Sequence, residues 1–202
     1  MTSVFTAIDS YFASTPEPPG WTTPAAAKIF ASCVIALRPQ VIVEIGVFGG
    51  RATIPIALAL REVGTGVITA IDPWSKEASV KGMDGDNLTW WGNLDHEAIY
   101  QEFTKKVREL GVQNCVKVVR KTSDDAEVPD GIGVCLVDGN HSEQAIKDVA
   151  RYCSKVIIGG LVYLDDLNWV GGKVKQAETN LLRMGFTQLY TLGTGGMYQR
   201  IK

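Results

Sequence analysis

Short apolar runs rich in β-branched residues recur along this chain, each separated from the next by sequence with helical spacing. Val41-Ile42-Val43-Glu44-Ile45 is the first and Val67-Ile68-Thr69-Ala70-Ile71 the second; others fall at about 116–119, 132–137 and 156–164. A strand that is apolar on both faces has to be covered on both faces, and parallel strands need helical crossovers between them. The expected fold is therefore α/β, a doubly wound, mostly parallel, seven-stranded sheet of Rossmann-like type. Its last two strands, at about 186–191 and 197–201, form an antiparallel hairpin around Gly193-Thr194-Gly195-Gly196.

Helices are expected at about 3–13, 51–63, 95–110, 142–150 and 172–184. One more begins where Thr23 suits the N-cap and Pro24 the first helical position, running to about Leu37. The stretch 73–94 reads as irregular. A chain of 202 residues suits one domain, with residues 1–20 as an N-terminal helix and proline-rich linker in front.

Charge and cysteine usage exclude several classes. The 22 acidic residues nearly balance 20 basic ones, so no basic face for a nucleic-acid backbone is announced. No run approaches the ~20 apolar residues of a membrane span, and Met1 to Ser14 does not read as a signal peptide. Cys33, Cys115, Cys135 and Cys153 form no CxxC pair, which argues against zinc or a disulfide framework and for a cytoplasmic setting. The expected partner is a small molecule, without nucleic acid or membrane; a homodimer is left open.

In open α/β sheets, ligands bind beyond the carboxyl ends of the strands, where strand order reverses. The first strand ends in Glu44-Ile45-Gly46-Val47-Phe48-Gly49-Gly50. Glycines let this turn approach a ligand, and the following helix offers free N–H groups to an anion. The second strand ends in Asp72, whose carboxylate can accept both hydroxyls of a ribose. A dinucleotide site uses the same devices, but Phe48 occupies the second glycine of GxGxxG and would obstruct a pyrophosphate. The ExGxxxG pattern from Glu44 to Gly50 is instead that of S-adenosylmethionine sites. A plain tight βα turn is the bland alternative.

VEIGVFGGRATIPIALAL, followed by ITAIDPW, resembles the class I methyltransferases, and more narrowly the group called methyltransferase family 24. WWGNLDHEAIY, VDGNHSEQAIKDV and GGLVYLDDLNW fit the same group, over about residues 20–170. The resemblance implies that Glu44, Gly46, Phe48, Gly49 and Gly50 face the methionine and ribose of S-adenosylmethionine. It puts Asp72, with Pro73 and Trp74, at the ribose hydroxyls and Ser123 and Asp124 at the adenine. Where catechol-type relatives carry a serine for the methionine carboxylate this chain has Ala52, and Thr53 or backbone N–H groups would substitute.

The fourth strand ends in Val137-Asp138-Gly139-Asn140-His141 and the fifth in Leu164-Asp165-Asp166-Leu167-Asn168-Trp169. Neighbouring parallel strands would bring three carboxylates together, and such a group must be protonated or neutralised by a cation. Oxygen ligands suit a hard ion such as Mg²⁺. Asp138, Asp165 and Asp166 resemble the metal triad of catechol and macrolide-sugar O-methyltransferases; hydrogen-bonded strand-end aspartates without an ion are the alternative. His141 matches the position of the catechol-type lysine base, and imidazole can accept a proton near neutral pH. Helix capping or space filling is its bland reading. Asp138 joins His141 as a catalytic candidate and also lies at the cofactor.

Trp90, Trp91, His96, Asn168 and Trp169 are the candidate substrate wall, with Trp21 as a further member. A 22-residue connection in a compact domain is more often a binding loop than decoration. The sequence thus reads as a metal-assisted O-methyltransferase for a small hydroxylated metabolite, saccharide or polyketide-like. The alternatives are a metal-independent N- or O-methyltransferase, a non-catalytic S-adenosylmethionine-binding protein and, last, a dehydrogenase.

Overall fold

The computed structural model describes residues 3–202, and the first two positions of the chain lie outside it. Two helices, α1 (Val4–Phe12) and α2 (Pro24–Leu37), precede β1 (Val41–Ile45), α3 (Thr53–Val63) and β2 (Val67–Ile71). Helices α4 (Lys76–Ser79), α5 (Gly85–Gly92) and α6 (His96–Glu109) lead to β3 (Val116–Val119) and β4 (Ile132–Val137). The chain ends with α7 (Glu143–Tyr152), β5 (Val156–Leu164), α8 (Val174–Arg183), β6 (Phe186–Leu192) and β7 (Gly195–Arg200).

The seven strands form one sheet in the order β3-β2-β1-β4-β5-β7-β6. The first five in sequence run parallel, and β7 is antiparallel to both β5 and β6. β1 pairs with β2 on one side and β4 on the other, so strand order reverses at β1. Register then decides where the site falls. Ile45 lies opposite both Ile71 and Val137, and ladder-like bonds continue one residue further. Gly46 N–H donates to the Ile71 carbonyl (3.0 Å), Asp138 N–H to Ile45 (2.9 Å) and Asp165 N–H to Val137 (3.1 Å). Four residues that sequence spacing singles out, Gly46, Asp72, Asp138 and Asp165, thus stand in a row at one sheet edge.

Each sheet face carries its own apolar core. Ile42, Ile68, Val134 and Leu136 point to the side covered by α1, α2, α3 and Phe103 of α6. Val43, Ile45, Cys135 and Val137 point to the side covered by α7 and α8. That alternation along β1 and β4 is the period-2 signature of a strand buried on both faces. Helix α1 packs on its own domain, with Ile8 fully buried and Tyr11 donating its hydroxyl to the Gly49 carbonyl.

Two segments differ from the sequence expectation. The stretch 73–94 is not irregular: it contains α4 and α5, with Ser75 capping the first through the Ala78 N–H. Gly82 and Gly85, both at positive φ, turn the chain between the two short helices. Helix α3 starts at Thr53 rather than Arg51, because Gly50 at φ 82° sits in the turn and Ala52 supplies no side-chain cap. All four cysteines are free thiols. Among the described residues, no helix is long and apolar enough to cross a membrane.

Candidate active site

A cavity of about 930 Å³ opens along the carboxyl ends of β1, β2 and β4. Its floor at β1 is Glu44, 2 % exposed. The Thr53 hydroxyl donates to its Oε2. Burial pushes the Glu44 carboxyl up to about 8, Thr53 opposes the shift and the neighbouring Asp72 adds to it. Thr53 is itself fully buried and its hydroxyl is spent on Glu44. The structure therefore places it behind the cavity wall, not at a ligand carboxylate.

Asp72 is the tie between the two βα turns. Its Oδ2 accepts the Phe48 N–H at 2.9 Å and its Oδ1 the Trp74 N–H at 2.7 Å. Both donors sit at positive φ, 49° and 42°, a conformation that costs a bulky residue of order 1–3 kcal/mol unless the surroundings impose it. The indole of Trp74 returns a hydrogen bond to the Phe48 carbonyl at 2.9 Å. Trp74 then stacks on Phe103 (5.5 Å) and against Tyr100 (5.0 Å), so its ring belongs to the scaffold. Burial raises the Asp72 carboxyl above its ordinary range, against the pull of these N–H donors.

The glycines divide their work. A Cβ at Gly46 (φ 86°) would run into the backbone carbonyl of Asp138, so close approach of β1 and β4 requires glycine there. Gly49 is pressed against Pro19 and Gly50 against the Phe103 ring. Neither lines the cavity; they serve chain packing rather than ligand approach.

Ser123 and Asp124 line the far end of the cavity. The Gln144 amide nitrogen lies 3.1 Å from Ser123 Oγ, 3.0 Å from Asp124 Oδ1 and 2.9 Å from Asp148 Oδ1. Tyr152 donates its hydroxyl to the Ser123 carbonyl at 2.8 Å. Gln144 and Asp148, one turn apart on α7, were not foreseen; their i, i+4 spacing beside an apolar stripe was the available signal. Burial raises the Asp148 carboxyl.

Beyond β4 and β5 the acidic cluster forms, with an internal division. One ligand atom each from Asp138, His141 and Asp166 lies within 4.8 Å of the others. His141 Nε2 is 2.8 Å from Asp166 Oδ2, and the Trp169 ring lies 4.2 Å from the imidazole. Asp165 is fastened at its Oδ1, which accepts the Tyr163 hydroxyl (2.9 Å), the Thr194 hydroxyl (2.7 Å) and the Asp166 N–H (2.8 Å), and its carboxyl also meets that of Asp138. Burial, then the charges of Asp165 and Asp166, hold the Asp138 carboxyl well above the usual range.

The wall opposite is aromatic. Trp21, 64 % exposed, stacks on Phe48 (5.5 Å, 22°) and leans on Trp90 and Trp91 (5.3 and 5.8 Å). His96 Nε2 meets the Trp91 carbonyl at 3.0 Å, holding this wall from beneath. Asn168 is exposed and does not line the cavity. Arg51, also unforeseen, fastens the linker: it bonds Glu17 (2.7 Å), the Pro18 carbonyl (2.8 Å) and the Thr22 carbonyl (2.8 Å). Its guanidinium covers the Phe12 ring at 4.7 Å.

A doubly wound sheet with a glycine turn, an acidic β2 end and a cavity at the reversal point defines a nucleotide-cofactor enzyme of the class I methyltransferase type. Residues 43–167 match the family model described as a methyltransferase domain, and the chain belongs to that family of S-adenosylmethionine-dependent methyltransferases. No curated protein matches at the sequence level. Among solved structures, the O-methyltransferase TomG from Streptomyces achromogenes, described as involved in tomaymycin synthesis and bound to S-adenosylmethionine, is 16% identical. That match covers 100% of this chain and 91% of TomG at a TM-score of 0.65. An O-methyltransferase from Bacillus cereus in complex with S-adenosylhomocysteine is 15% identical, over 100% of this chain and 92% of its own, at 0.67. The O-methyltransferase NovP is 20% identical, over 91% and 84%, at 0.70. At these identities the likeness is one of fold.

Proposed function

We propose that this chain transfers the methyl group of S-adenosylmethionine to a hydroxyl of a small metabolite, assisted by a divalent cation. The observation that carries the reading is the row of Glu44, Asp72 and Asp138 along one cavity, with further carboxylates beside Asp138. Asp72, already holding both turns, presents its remaining lone pairs to a ribose. Gln144, Ser123 and Asp124 offer donors and acceptors for a purine edge. The aromatic wall of Trp21, Phe48, Trp90 and Trp91 supplies flat apolar surface for the acceptor, and Pro73 and Trp169 extend the lining. These features fit a saccharide or polyketide-like molecule.

The donor set of the cluster fits a cation, since a carboxyl as buried as Asp138 beside further carboxylates lacks a positive partner. When bound, such an ion fixes an acceptor oxygen and lowers its pKa. The chain's own residues align the acceptor against the methyl donor and exclude water, which is most of what methyl transfer asks of a protein.

One observation favours a second reading without metal. His141 directs Nε2 at Asp166 and leaves Nδ1 buried with no protein partner, the arrangement of an imidazole held by a carboxylate to accept the acceptor's hydroxyl proton.

Calorimetric titration with S-adenosylmethionine, S-adenosylhomocysteine and NAD⁺ tests the cofactor: binding of the first two and not the third is the expected result. Transfer to a panel of hydroxylated acceptors, measured with Mg²⁺ or with chelator, then separates the two readings. Activity that survives chelation removes the metal, and failure of both sulfur compounds to bind removes the methyltransferase reading.

A further inference from the structure

We propose that Gln144 reads the base of the cofactor through its side-chain carbonyl, and that the buried Asp148 is the positioning residue that turns this carbonyl to the ligand. The consequence is selection of a purine with an exocyclic amine over one with an oxo group. This deepens the S-adenosylmethionine reading and rests on it, with the base at the Ser123–Asp124 end of the cavity.

Gln144 and Asp148 stand at i and i+4 on α7, so their side chains leave the helix on one face. The Gln144 amide nitrogen is ringed by oxygens: Asp148 Oδ1 at 2.9 Å, Asp124 Oδ1 at 3.0 Å and Ser123 Oγ at 3.1 Å. A side-chain amide can present either end to its neighbours, and here the neighbours decide. Ionised carboxylates only accept hydrogen bonds. A reversed amide would set its carbonyl oxygen against two carboxylate oxygens, so the two N–H groups are spent on Asp148 and Asp124.

The surroundings hold this arrangement. Asp148 is 1 % exposed and the Ser123 side chain also bonds it, which satisfies a carboxyl that burial would otherwise leave costly. Tyr152 donates its hydroxyl to the Ser123 carbonyl at 2.8 Å, and Arg151 Nη2 donates to the Ala126 carbonyl at 2.8 Å. Both residues belong to α7 or its end, so the 123–126 turn is tied to the helix that carries Gln144.

What remains for a ligand is acceptor character. With Nε2 committed, Oε1 is the polar atom that Gln144 has left to offer in the cavity it lines, and the neighbouring Asp124 carboxylate is an acceptor too. The exocyclic amine of adenine supplies N–H groups to such acceptors. An oxo group in its place sets oxygen against oxygen, and a site built to bond one group rejects the analogue that lacks it. Asp148 acts through Gln144: without that carboxylate the amide can turn over and offer an N–H instead.

The test is calorimetric titration of the full chain with S-adenosylhomocysteine and with S-inosylhomocysteine, its deaminated analogue, which exchanges the amine for an oxo group. The adenosyl compound is expected to bind about 10- to 100-fold more tightly. Gln144→Met, of similar length and without the amide, should lower that ratio by about fivefold or more, chiefly by weakening the adenosyl compound. Asp148→Asn keeps the shape of the buried side chain, but its carboxamide can donate to the Gln144 carbonyl and so admits the turned amide; it should lower the ratio as well. In the Gln144→Met background the same Asp148 change should leave the ratio where it is, whereas a merely structural role would weaken both compounds alike in either background. Equal affinity for the two compounds in the unsubstituted chain, or an unchanged ratio in Gln144→Met, would overturn the role of Gln144. An unchanged ratio in Asp148→Asn would overturn the positioning role. If neither compound binds, the S-adenosylmethionine reading itself falls; if both bind alike, that reading stands and the selection of the base alone falls.

Discussion

The carboxylate of Asp72 accepts the Phe48 N–H at 2.9 Å, so the acidic end of β2 holds the glycine turn of β1 in the shape that faces the cavity. The same carboxylate holds Trp74 through its other oxygen. Asp72→Ala should therefore do more than remove a ligand contact. It leaves two part-buried N–H groups at strained residues without acceptors, costing about 1–3 kcal/mol in stability. It should also reduce S-adenosylmethionine affinity by at least tenfold, read by urea denaturation and calorimetry. Asp72→Asn, which keeps one acceptor oxygen, should fall between.

Gly46→Ala forces a Cβ into the Asp138 carbonyl at a φ of 86°. The β1–β4 ladder cannot open to receive it without displacing the ends of both strands. A loss of more than about 3 kcal/mol is expected, seen as insoluble expression or a collapsed melting transition. Gly64→Ala, at φ 74° with open space around it, should cost only about 1 kcal/mol.

The buried Glu44 carboxyl, pushed up to about 8 from an ordinary 4.5, ties stability to pH. The folded state binds this proton more tightly than the unfolded chain does. Its contribution is complete below about pH 4.5 and is lost as pH rises through about 8. Denaturation of the cofactor-free protein across that window should show stability falling with pH, and Glu44→Gln should flatten the slope. An unchanged slope in the variant would assign the dependence to other groups.

Arg51 is 12 % exposed and fixes the 17–22 linker by side-chain bonds to Glu17, Pro18 and Thr22. Arg51→Ala should cost about 2 kcal/mol, or a melting temperature lower by about 4–8 °C. It should also release Trp21 from the aromatic wall. Limited proteolysis should then cut within the linker, and turnover of any acceptor bound at that wall should fall more than cofactor affinity does.

The strand pattern, the order of its apolar runs and the acidic residues after them were legible in the sequence, because burial on both faces makes the central strands almost wholly apolar. Strands β3, β4 and β5 fall where the pattern puts them, and so do the chemically loaded residues at the ends of β1, β2 and β4, since local composition decides both. What only tertiary structure decided is which of those residues meet. Thr53 faces Glu44 and not the cavity, Gly49 and Gly50 pack on Pro19 and Phe103, Trp74 is core, and Asn168 points to solvent. Arg51, Gln144 and Asp148 enter the site from helices and turns, where the only local signal was the i, i+4 spacing of the last two on α7. Asp165 and Asp166 are adjacent in sequence and alike in chemistry, yet one is fastened by Tyr163 and Thr194 and the other turns to His141. Their division depends on the β6–β7 turn, nearly 30 residues further along the chain, and on a left-handed backbone at Asp166; neither is encoded in the local pattern that announces the two carboxylates.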